Sequence, residues 1–294
     1  MPSHIFTRLG FWDLSIASNH NSTNSAATYT QSAHLDGHYD EGLHSMDYLL
    51  YAMLQTGQDA DALNLLDRLG KIEKTNTENF KVAFTYAASW ARYTLERRAW
   101  KEASAIELVR ADDFPWRDFP WAESIHYFAR GIGAARSDNV LQAMRDLAHI
   151  RQLHTSLPDN APLYWRAEVA VQADVVESWV LLKTDHVEQA LKLASQAAVD
   201  EDAVDKHPVT PGEVIPAREL YADMLFDVSQ YAEALKQYQV VLKSSPNRLN
   251  ALLGAAISAK KAGKDKLAKH YKMVVRRQTN REAETFQYPS GAGR

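Results

Sequence analysis

Residues 217–246 read ARELYADMLFDVSQYAEALKQYQVVLKSSP, and this stretch decides the fold. Tyr221, Ala222 and Leu225 recur at helical spacing, Ser229-Gln230 breaks the pattern, and Tyr231, Ala234, Tyr238 and Val241 resume it before Pro246. Residues three and four apart share one face of a helix. The pattern therefore predicts two antiparallel helices, with small residues where the backbones approach and aromatics beside them. A hairpin of this kind cannot bury its apolar face alone, so it has to stack on others.

Working outward, Ala62, Ala103, Ala143, Ala190, Ala234 and Ala268 occupy equivalent places in successive second helices. The predicted hairpins are 41–74, 79–111, 120–156, 162–200, 214–245 and 248–277. Turn signals stand at Gly57-Gln58-Asp59, Ser137-Asp138-Asn139, Lys183-Thr184-Asp185, Ser229-Gln230 and Gly263-Lys264-Asp265. Proline breaks separate the hairpins at Pro115, Pro120, Pro158, Pro208 to Pro216 and Pro246. The fold expected is an all-α, right-handed solenoid of about six hairpins over residues 1–278, with 1–40 a partial or capping hairpin and 279–294 a disordered tail.

These residues resemble the tetratricopeptide-repeat superfamily, best at Tyr221, Ala222, Leu225, Tyr231, Ala234, Tyr238 and Pro246. Elsewhere the match is degenerate: Trp90, Ala91, Trp100 and Ala103 in one hairpin, Gly131 and Ala143 in the next, Gly263 and Ala268 in the last. More closely, MPSHIFTRLGFWDLSI, HSMDYLLYAMLQ, HYFARGIGAARSD and KHPVTPGEVIPARELYADML look like segments of a bacterial family of tetratricopeptide proteins. Its relatives carry further repeats upstream of the MPSHIF segment. Gly10-Phe11-Trp12 with Ser15, Ile16 and Asn19 also reads as the turn and second helix of a hairpin with too short a first helix. The expectation is that the numbering begins inside a longer protein; the alternative is a short first helix acting as a cap. The resemblance is specific for fold and supplies no reaction.

Composition narrows the function classes. A formal charge of −4 on 294 residues gives no basic field for phosphate backbones or anionic lipid, so nucleic acid and membrane partners are disfavoured. The absence of cysteine removes disulfides, thiolate zinc sites and a cysteine nucleophile. No membrane-length apolar run and no secretion signal are visible, which points to a soluble, cytoplasmic chain. There is no GxSxG, P-loop, GxGxxG or HExxH.

Two sets of residues remain as candidate sites. In stacked hairpins the first helix of each lines the inner surface, and its polar stripe runs through His44, Asp47 and Tyr51, then Arg92, His126, Gln172, and Glu219 with Asp223. Polar groups and aromatics converging on a groove suit recognition of a peptide or partner protein; ordinary solvation of an inner face is the competing reading. The second set is histidine-rich: a divalent metal drawn from His4, His34, His38, His44 and Asp47 would make an enzyme or sensor. His34 and His38 have helical ligand spacing, but Gly37 between them reads as a loop, so exposed or capping roles stand against it. Trp116 and Trp121 are candidate exposed anchors, Lys206 to Gly212 reads as a stiff spacer, and self-association is a third possibility. The leading expectation is a non-enzymatic scaffold that binds protein or peptide in its groove.

Overall fold

The computed structural model describes residues 2–286 and is all-helical, with fourteen α-helices and one pair of two-residue strands among those residues. The helices are α1 (Pro2–Arg8), α2 (Trp12–Ser32), α3 (Asp40–Gln55), α4 (Asp59–Gly70), α5 (Phe80–Glu96), α6 (Trp100–Ser104), α7 (Pro120–Arg136), α8 (Val140–Ser156), α9 (Leu163–Lys183), α10 (Val187–Asp202), α11 (Ala217–Asp227), α12 (Tyr231–Ser244), α13 (Leu249–Lys261) and α14 (Asp265–Thr279). Strands β1 (His38–Tyr39) and β2 (Thr75–Asn76) pair in parallel, linking the residues before α3 to those before α5.

The repeat is visible in the backbone. Seven helix-turn-helix units each turn through one left-handed residue: Gly10, Gly57, Arg98, Asp138, Asp185, Ser229 and Gly263, with φ between 55° and 74°. Glycine reaches this region without a steric penalty, and Asp tolerates it better than most residues. Sequence signals marked five of the last six turns and missed Arg98, a residue type with no preference for that conformation. Just beyond each of these six turns stands the repeated alanine. Ala62, Ala103, Ala143, Ala190, Ala234 and Ala268 are at most 3% exposed, and each N–H donates at 2.8–3.1 Å to the carbonyl four residues back. In the first unit the buried Ser15 takes that place, donating its N–H to Phe11 O.

The helices separate into two layers. The sequence α3, α5, α7, α9, α11, α13 packs neighbour on neighbour and forms the inner layer. Almost every residue of α3 is buried, whereas α4 buries one stripe, Ala62, Leu65, Leu66 and Leu69, at the spacing of a single helical face. Two prolines, Pro120 at the start of α7 and Pro216 just before α11, stand where an N–H would go unused. Close approach is built in at Gly133, where a Cβ would meet Ser104 N at 2.5 Å.

Three expectations are revised. The second helix of the 79–111 hairpin is only five residues long, and the chain from 105 to 119 is a connection that tucks Phe114 and Trp116 into the core. Trp116 and Trp121 are thus not exposed anchors: Trp116 Nε1 donates to Val109 O at 3.0 Å, and Trp121 stacks on Trp165 at 3.7 Å. The stretch read as the start of a disordered tail carries a 3-10 turn at Ala283–Thr285, and Phe286 lies under the Arg281 guanidinium. Residues 287–294 of that expected tail lie outside the described residues.

The two ends of the array touch. Trp12 Nε1 donates to Asn247 O at 2.9 Å, Leu249 N donates to Gln55 Oε1 at 2.8 Å, and Gln278 Nε2 donates to Gln55 O at 2.6 Å. The inner layer consequently encloses space rather than lining an open face.

Candidate functional site

The enclosed space is filled by the chain itself. Residues 203–216, which join α10 to α11, form a strap across the inner helices, with Thr210, Val214 and Ile215 at 1%, 5% and 2% exposure. Side chains of three helices grip its main chain. Arg8 of α1 donates to His207 O at 2.7 Å and Lys206 O at 3.4 Å. Tyr48 of α3 donates to Val209 O at 2.9 Å, and Arg92 of α5 donates to Glu213 O at 3.0 Å and Val214 O at 3.2 Å. Prolines 208, 211 and 216 favour the extended backbone that presents these carbonyls.

All eight residues of the expected inner stripe lie in this interior, none more than 8% exposed. They do not line an open wall. Five of them belong to a connected polar network. Asp47 faces Arg92 at 4.0 Å, and the Arg92 guanidinium lies 4.4 Å from the Tyr51 ring centre. The Tyr51 hydroxyl accepts from Arg248 Nη1 at 3.0 Å. Arg248 also meets Glu219 through Nε and Nη2 at 2.8 and 3.0 Å, and Glu96 through Nη1 at 2.9 Å. Glu219 lies 3.5 Å from Arg98, which grips Asp223 with both Nη atoms; Tyr238 donates to Asp223 Oδ1 at 2.6 Å. The remaining three stripe residues stand apart. His44 pairs with His4, His126 packs edge-on to Tyr127, and Gln172 accepts from Ser124 at 2.6 Å.

Arg98, Arg248 and Glu96 carry much of this network, and none of them is among the eight residues expected to bind a partner. Arg98 sits in a turn and Arg248 caps a helix after a proline break, positions that look like connections in sequence. The available signal was charge: Glu96, Glu219 and Asp223 on one inner face need more cations than Arg92 alone.

The histidine set disperses. His4 Nε2 and His44 Nε2 are 3.1 Å apart, with His4 stacked on Tyr48. His34 lies in an exposed turn at φ 51°, His38 is in β1, and Asp47 points at Arg92. Among the described residues no group of three His, Cys, Asp or Glu side chains is placed to hold a metal ion.

Burial sets the protonation states. Burial, then the neighbouring His4, pushes His44 down to about 3, so it is neutral and hydrogen-bonds as a neutral ring. His126 is pushed to about 3 by burial, with Arg130 and His149 assisting. Burial raises Asp47 to about 7 against the pull of Arg92. Beside the strap, burial and then Glu213 raise Glu168 to about 8. Glu213 is held low by Lys206, whose Nζ is 3.3 Å away. Glu201 accepts from Ala217 N at 2.7 Å at the start of α11. His207 sits in a box of Phe80, Tyr164 and Trp165, with ring centres 5.9, 5.2 and 4.8 Å away. Its Nδ1 accepts from Val209 N and Thr210 N, each at 3.3 Å.

Compared with known protein families, curated proteins and solved structures, the chain finds no match in any of the three. No helix among the described residues is long and apolar enough to cross a membrane.

Proposed function

We propose that this chain is a non-enzymatic scaffold, a right-handed solenoid of tetratricopeptide-like hairpins whose inner face binds an extended segment of a partner protein or peptide. One observation carries the reading: α1 and the inner helices α3 and α5 already hold an extended segment by its main-chain carbonyls, through Arg8, Tyr48 and Arg92. Recognition through main-chain groups supplies affinity, and side-chain pockets supply selectivity. The Phe80, Tyr164 and Trp165 box around His207 is such a pocket. No cofactor is called on.

Titrating labelled proline-containing peptides into the whole protein, with fluorescence anisotropy as readout, tests this reading. Some are expected to bind with Kd on the order of micromolar. Arg92→Lys, which keeps the charge and loses the planar fork, is expected to weaken binding about tenfold with helicity unchanged. A panel in which no peptide binds, or binding indifferent to Arg92→Lys, would overturn it.

A further inference from the structure

The strap leaves some of the polar groups it covers without partners. Arg92 is fully buried, and its Nη1 serves two strap carbonyls, but its Nε and Nη2 have no hydrogen-bond partner. Asp47, 1% exposed, faces Nη2 at 4.0 Å, beyond hydrogen-bond reach, and its Oδ1 is likewise without a partner. Thr210 Oγ1, in the strap itself, is buried in the same condition. Buried polar atoms are nearly always paired. Arg92 thus keeps donor capacity that the strap carbonyls do not use, and a differently placed extended segment can offer it a further carbonyl.

Two further observations identify what fits. The hydrogen bonds described from α1, α3 and α5 to the strap end on main-chain carbonyls, so another extended chain can take the same grip. Val214 and Ile215 of the strap are buried in the hydrophobic core, and its polar side-chain selectivity sits where Lys206 and His207 precede Pro208. The histidine ring fills the aromatic box, and the lysine Nζ donates to Ser245 Oγ at 2.8 Å.

Resting on the peptide-binding reading, we propose that the strap occupies the inner face in cis and competes with an extended segment of a partner protein that presents Lys, then His, then Pro. The segment enters the same aromatic box, takes the carbonyl grip of Arg8, Tyr48 and Arg92, and offers a further carbonyl to the unused donors of Arg92. The closed state described here is then the autoinhibited one.

The test uses the full chain and a second chain in which residues 206–215 are replaced by a Gly/Ser linker of equal length. The probe is a labelled peptide DKHPVTPGEVIPA, corresponding to residues 205–217. It is expected to bind the linker chain at least about tenfold more tightly than the intact chain, and its His207→Ser version to bind at least about tenfold more weakly. If the linker chain binds both peptides alike, the Lys-His-Pro assignment falls while peptide binding stands. If a helical linker chain binds neither, both fall. Should the linker chain lose its helicity, hydrogen exchange on the intact protein decides. Amides of residues 209–214 exchange faster in saturating peptide if the strap is displaced, and unchanged exchange overturns the proposal.

Discussion

Two parts of one interior differ in how their charges are matched. Around Arg248, the guanidinium donates from Nε and Nη2 to Glu219 and from Nη1 to Tyr51, and it forms an ion pair with Glu96 at 2.9 Å, while Asn250 Nδ2 donates to Glu96 Oε2 at 2.8 Å. A few residues along the same layer, Arg92 and Asp47 stand 4.0 Å apart without a hydrogen bond. Both sites are buried, so desolvation is similar; what differs is the supply of partners. The Arg248 site joins α3, α5, α11 and α13 and acts as a clamp on the closed array. The Arg92 site has been closed by a connecting strap that meets only part of its demand, and the proposed exchange of partners rests on that difference.

The largest expected effect breaks the clamp. Arg248→Ala strands Glu96 and Glu219 in the interior and should cost about 3–5 kcal/mol in chemical denaturation. Arg92→Met should cost less, about 1–3 kcal/mol, because burial already raises Asp47 to about 7 and it can take a proton when its partner goes. Equal losses would end the comparison. Next, Gly254→Ala places a Cβ 2.4 Å from the Tyr238 ring, whose hydroxyl serves Asp223 in the clamp. That overpacking should cost about 1–3 kcal/mol, visible as a lower Tm.

The strap side is sharpened by pH. Glu168 has a folded value of about 8 against an ordinary 4.5, so its contribution is fully present below 4.5 and is lost as pH rises through 8. Glu168→Gln keeps a neutral side chain. Its stability relative to the parent should therefore rise between pH 4.5 and 8 by up to about 1.4 kcal/mol per pH unit, read from urea midpoints across that window. A flat difference would show that Glu168 is ionised in the fold. The smallest effect is Tyr48→Phe, which removes one hydrogen bond to Val209 O and should cost about 0.5–1.5 kcal/mol. It should also speed hydrogen exchange in the strap more than in α11 or α13.

The repeat alanines and most of the turns were legible because they answer to local rules. Ala234 must be small where its helix meets the preceding one, and Gly57 and Gly263 permit the left-handed turn. Arg98 escaped notice because its turn conformation is imposed by the packing of α5 and α6, not by its own preference. The stripe from His44 to Asp223 was likewise legible as one face, since helical periodicity assigns faces. Its surroundings were not. Whether Asp47 or Glu219 meets water depends on what lies opposite, and the opposing groups come from residues 92 to 248, remote in sequence. The strap itself read as a spacer because its prolines explain a stiff connection without reference to what it covers.

By itself, then, the sequence determined an all-helical chain, the helical hairpins and the faces that pair within each hairpin. The meeting of Trp12 with Asn247, the filling of the interior by residues 203–216, and the pairing of Arg248 with Glu96 and Glu219 were decided only in the tertiary structure. The physical reason is separation in sequence: local periodicity assigns each helix its faces, whereas contacts between residues about 200 positions apart depend on the packing of every helix between them.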